Sequence, residues 1–138
     1  MANTVEFLGM GSVRYGTSIT SQTIFFPATA QDGDFLVLQA FADREYPSVP
    51  SGWTVQFSTY LANYRHFIIA TKVKEAGESN VKITTTSPTG IYGVVSADKN
   101  VKSVAGVTGR WESERLAYSP LINDFSVSQT DTLALILS

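Results

Sequence analysis

Apolar residues along this chain recur mostly at every second position, and no stretch carries a convincing amphipathic helical period, so the pattern predicts strands. The strongest run is Phe35-Leu36-Val37-Leu38-Gln39-Ala40-Phe41-Ala42. It is entered from Asp32-Gly33-Asp34, where Asp-Gly supplies the backbone conformations of a tight turn. Leu36, Leu38, Ala40 and Ala42 fall on one face of such a strand and Phe35, Val37, Gln39 and Phe41 on the other, so both faces are mostly dry. A strand of a two-layer fold meets the core with one face only. The second face of this one is expected under a loop, a terminal segment or another subunit.

Weaker alternations flank it. Thr4–Leu8, Val13–Tyr15 and Ile24–Phe26 read as short strands before it, interrupted by Gly9 and Gly11 and closed by Pro27, which suits a strand end or an edge. A charged, proline-rich loop from Asp43 to Gly52 follows, long for a hairpin connection. Trp53, Val55 and Phe57 then alternate with Thr54, Gln56 and Ser58, the pattern of a strand with one face in the core. Tyr64–Lys74 answers as its antiparallel partner across Ala62-Asn63. Val81–Thr86, Ile91–Ala97 and Val101–Val107 read as three further strands, joined by the turns Ser87-Pro88-Thr89-Gly90 and Asp98-Lys99-Asn100. Thr108–Pro120 is mostly loop and Leu121–Val127 an irregular strand. Thr132–Ser138 is a strand apolar on both faces, which must pair inside a sheet or a subunit contact. About ten short strands with regularly spaced turn signals predict an all-β chain, an antiparallel β-sandwich or jelly roll, in one domain over residues 1–138.

Composition narrows the partners. With 43% hydrophobic and 16% charged residues in 138, the chain is globular, with threonine, serine and glycine in place of surface charge. A net charge of −2 without a lysine or arginine cluster lacks the electrostatic footprint of a nucleic-acid binder. The absence of cysteine excludes a disulfide framework, a thiolate metal site and a cysteine nucleophile. Met1–Glu6 has no basic start before an apolar stretch and no run is long enough to span a bilayer, so synthesis in the cytoplasm without membrane insertion is expected.

Candidate chemistry is sparse. His66 lies mid-strand with no second histidine or cysteine to complete a metal site, and Asp32 and Asp34 match only a fragment of a calcium loop. No nucleophile elbow, phosphate loop or dinucleotide fingerprint occurs. Two acid pairs, Asp43 with Glu45 and Glu112 with Glu114, have the composition of a glycosidase centre, but such acids are ordinarily solvated loop charges. No catalytic residue and no cofactor is therefore expected. The aromatic residues offer more. Tyr46 and Trp111 sit in the two longest loops beside Asp43, Arg44, Glu45, Arg110 and Glu112, a set that could stack on and hydrogen-bond a glycan, or plug the ends of the fold.

Three stretches taken in order carry a resemblance. Asp32-Gly33-Asp34-Phe35-Leu36-Val37, then Val49-Pro50-Ser51-Gly52-Trp53-Thr54, then Ala70-Thr71-Lys72-Val73 with Ala76-Gly77-Glu78, resemble the succession in β-sandwich domains of tailed-bacteriophage structural proteins. The similarity spans about residues 30 to 85. It departs from that pattern at Thr71, where a tyrosine is usual, and lacks the later Tyr-Arg-Gly. The resemblance implies a virion component, in the tail, a fibre, the baseplate or a head decoration, that works by assembly rather than catalysis. It implies structural roles for Gly33, Asp34, Gly52 and Trp53. It also implies a homo-oligomer, with a trimer favoured, in contact with other virion proteins. Phe35, Val37, Phe41, Leu133, Leu135 and Ile136 are the residues expected at the oligomer contact. The alternative is a carbohydrate- or receptor-binding module that recognises a host surface glycan.

Overall fold

The computed structural model describes residues 6–61, 65–101, 106–110 and 121–126, and its regular elements are all strands. Six of them, β1 (Glu6–Met10), β2 (Arg14–Phe25), β3 (Phe35–Asp43), β4 (Thr54–Leu61), β5 (Arg65–Val73) and β6 (Asn80–Lys99), form one antiparallel sheet. Its order is β1-β6-β3-β5-β4, with β2 also paired to β6. Two further strands, β7 (Gly106–Arg110) and β8 (Leu121–Ser126), pair with each other.

The dry run is the central strand, β3. It pairs with β5 on one side and β6 on the other over nearly its whole length. Leu36, Leu38, Ala40 and Ala42 are buried on one face, here called inner, and Phe35 and Val37 on the other. Across the inner face, Leu38 stands between Ala70 and Val95, and Ala40 between Ile68 and Gly93. These large-small alternations let the next layer approach closely.

That layer comes from β6 itself. A straight strand would carry Ile83 and Gly93 about 33 Å apart. Yet a Cβ on Gly93 would lie 3.2 Å from Ile83 Cδ1 and 3.1 Å from Ile24 Cδ1. The strand therefore turns a sharp corner at residues 85–88, where the two-residue step of β2 from Ile19 to Ser21 spans the five-residue step from Thr89 to Thr84. Its first half, with the end of β2, lays Ile24, Val81 and Ile83 over the inner face, joined by Phe26, Trp53 and Val49.

Four expectations change here. Val81–Thr86 and Ile91–Ala97 are one strand with a corner, because β2 follows both halves and the turn residues do not reverse the chain. Val13–Tyr15 and Ile24–Phe26 likewise belong to a region in which Arg14–Phe25 is continuous. The turn foreseen at Asp98-Lys99-Asn100 begins only at Asn100, whose φ is 67°, and Asp98 stays in β6. Trp53, Val55 and Phe57 do not share a face, since a bulge between Val55 and Phe57 leaves Val55 exposed and sends Phe57 to the Phe67 side. The β4–β5 hairpin forms as read.

Candidate functional site

At one end of the sheet three glycine turns converge. Gln31–Asp34, Pro50–Trp53 and Glu75–Glu78 each close with the fourth residue's N–H donating to the first residue's carbonyl, at 3.0, 3.4 and 3.2 Å. Gly33, Gly52 and Gly77 occupy the third position with φ of 89°, 95° and 84°, which a type II turn demands. Two lysines of one chain segment tie them together. Lys74 Nζ donates to Asp32 Oδ1 at 2.7 Å, and Lys72 Nζ lies 3.5 Å from Glu78 Oε1 and 3.2 Å from where a Cβ on Gly52 would stand. Asp34 Oδ2 accepts from Gln31 N at 2.7 Å. Asp32 and Asp34 thus spend their oxygens on the turn, and Trp53 packs against the core.

The opposite end carries the charged loop. Asp43 Oδ1 pairs with Arg65 Nε at 3.3 Å, and its carbonyl accepts from Thr89 Oγ1 at 2.8 Å. Arg44 is exposed with a φ of 72°. Glu45 grips the β6 corner: Thr86 donates its backbone N–H to Oε1 and its hydroxyl to Oε2. Those bonds, the hydroxyl first, hold the Glu45 carboxyl below the ordinary glutamate range. Three residues on, Ser48 exchanges backbone hydrogen bonds with Thr84. Between these anchors Tyr46 turns its ring edge-on to His66 at 4.5 Å, and Tyr60 of β4 meets the same imidazole at 5.0 Å. Tyr46 and Tyr60 remain 44% and 54% exposed.

Close by, on the outer face, one aromatic ring from each of five neighbouring strands forms a row. Tyr15 meets Tyr92 at 5.7 Å, Tyr92 meets Phe41 at 5.8 Å, Phe41 meets Phe67 at 4.9 Å, and Phe67 meets Phe57 at 6.4 Å. Phe67 is fully buried, whereas Tyr15 and Tyr92 are 61% and 39% exposed. Beyond the exposed end of the row opens a depression of about 330 Å³ lined by Thr17, Ser18, Asp43, Arg44, Pro88, Thr89 and Gly90.

Of the residues singled out for a glycan, Asp43, Arg44, Glu45 and Tyr46 therefore share one end of the sheet, with Asp43 and Glu45 engaged in holding the loop. Arg110 ends β7, described by its backbone, and Trp111 and Glu112 lie outside the described residues, as does Glu114. Of those expected at a subunit contact, Phe35 and Val37 are buried within the single chain and Phe41 is partly covered by its ring neighbours. Leu133, Leu135 and Ile136 lie outside the described residues. Sequence reading missed Tyr15, Tyr92, Thr17, Ser18 and Gly90 because their proximity depends on strand register; the one local signal was the aromatic residue at the same level of successive strands. Among the described residues no group of three or more histidines and carboxylates could hold a metal ion, and no helix is long and apolar enough to cross a membrane. No protein-family model, curated protein or solved structure matches the chain.

Proposed function

We propose that this chain is a structural protein of a bacteriophage virion, a tail, fibre, baseplate or head-decoration subunit that acts by assembly on a β-sandwich of about ten strands. The observation that carries this reading is the convergence of its three family-like stretches on one end of the sheet. There Asp32, Asp34, Lys72, Lys74 and Glu78 brace the turns, so those residues build a scaffold rather than a reacting centre. The fold-over of β6 across β3 and β5 supports the sandwich. Phe7 and Met10 on β1 and Val13 after it are half exposed at one sheet edge, a surface that a second copy would cover. Light scattering across a concentration series tests the reading: a trimer or larger closed ring is expected, and a monomer at every concentration would count against it.

A second reading, recognition of a host surface glycan, is favoured by the exposed tyrosines fixed beside the charged loop. Retention on host-cell envelope that Tyr46→Ala or Trp111→Ala abolishes, at unchanged melting temperature, would support it.

A further inference from the structure

We propose that the notch lined by Thr17, Ser18, Asp43, Arg44, Pro88, Thr89 and Gly90, with the Tyr15–Tyr92 pair next along the same sheet face, binds a saccharide ring of a surface glycan. The proposal rests on the glycan reading and gives it a place. At about 330 Å³ the depression falls at the low end of the roughly 300–1,000 Å³ typical of small-ligand sites. Gly90 keeps it open, since a Cβ there would stand 2.9 Å from Asp43 Oδ2. Asp43 is itself fixed. Its Oδ1 pairs with Arg65 and its carbonyl accepts from Thr89, which turns Oδ2 toward the glycine.

The lining has the chemistry that a sugar needs. A carboxylate oxygen accepts from hydroxyls and the Thr17 and Ser18 side chains donate and accept, while the Tyr15–Tyr92 pair, two residues along from Thr17 and Gly90, offers an apolar surface beside the notch to the C–H face of a ring. Arg44, also on the lining, adds guanidinium donors for the oxygens of such a ring. Of the three non-glycine residues with positive φ among the described residues, two, Ser18 at 54° and Arg44 at 72°, line this notch. Strained backbone of that kind concentrates where a site must be shaped in advance.

The test prints bacterial surface oligosaccharides as an array and probes it with labelled wild-type protein, Tyr15→Ala, Gly90→Ala and Tyr46→Ala. Tyr15 is largely exposed, so its truncation leaves the fold intact and guards against a Gly90→Ala chain that folds poorly. Wild type is expected to bind a subset of spots, with at least a tenfold loss of that binding in Tyr15→Ala and Gly90→Ala. Binding that survives Tyr15→Ala and Gly90→Ala but is lost in Tyr46→Ala overturns the notch and keeps the glycan reading. Wild-type protein that binds no spot overturns both.

Discussion

Asp98 is the least accommodated side chain among those described. It is fully buried beside Phe7 and Phe35 in the register of its two neighbouring strands, and neither carboxylate oxygen has a hydrogen-bond partner. Burial pushes its carboxyl from 3.8 up to about 6. Between those values the folded chain holds a proton that the unfolded chain has released. Stability therefore falls as pH rises from about 4 to about 6 and stays lower above it, by on the order of 3 kcal/mol. Asp98→Asn is expected to flatten that slope and to raise the melting temperature at pH 7 by several degrees; thermal melts from pH 4 to 8 check it, and an unchanged slope counts against the assignment. Glu45 runs the other way. The bonds from Thr86 hold its carboxyl low, so its grip on the corner is complete above the ordinary glutamate range and is lost as pH falls through its lowered value. Neither environment was legible in the sequence. Asp98-Lys99-Asn100 has the composition of a turn, but Asn100 alone takes the left-handed conformation, and pairing with β1 and β3 keeps Asp98 in the strand.

Among elements, β6 shows what alternation does and does not specify. The faces of β3 follow from its sequence, and so does the half-buried rhythm of Val81, Lys82, Ile83 and Thr84. The corner does not, because a period of two reads the same on both sides of a bend and a turn-forming tetrapeptide serves a reversal or a fold-over equally. What decides between them is the pairing of β2 with both halves of β6, between residues 55 to 79 apart in sequence. The close approach over Gly93 gives the test. Gly93→Ala sets a methyl against Ile24 and Ile83 and is expected to cost about 1–3 kcal/mol. Gly33→Ala meets open space, yet forces a φ of 89° on a residue with a Cβ and is expected to cost about 1 kcal/mol. Urea melts of the two variants separate a packing penalty from a conformational one.

For the molecule as a whole, the dry second face of β3 raised the choice between cover by the chain and cover by a neighbour. Phe35, Val37, Phe67 and Ile69 on that face are buried in one chain, so that face needs no neighbour and the proposed assembly contact moves to the sheet margin. Val37→Asp is accordingly expected to abolish folding. Phe7→Ser with Met10→Ser is expected to leave a folded chain of lower mass in light scattering. Ile136→Asp tests the expected C-terminal contact in the same assay, and an oligomer that survives it removes that segment from the interface. Periodicity could show that surplus apolar surface existed, but not who covers it, since that depends on how distant strands stack.

The pairing of β1 and β2 with β6 also fixes an order of events during synthesis. Residues 6–25 reach their hydrogen-bonding partners only when residues 80–99 have been made. At roughly 5–20 residues per second, Phe7, Ile24 and Phe25 wait about 3–18 seconds beside a ribosome with no ladder to join. The β4–β5 hairpin and its docking on β3 can form meanwhile, from contacts close in sequence. Residues 6–25, although made before the rest of this sheet, are among the last of it to be locked in place.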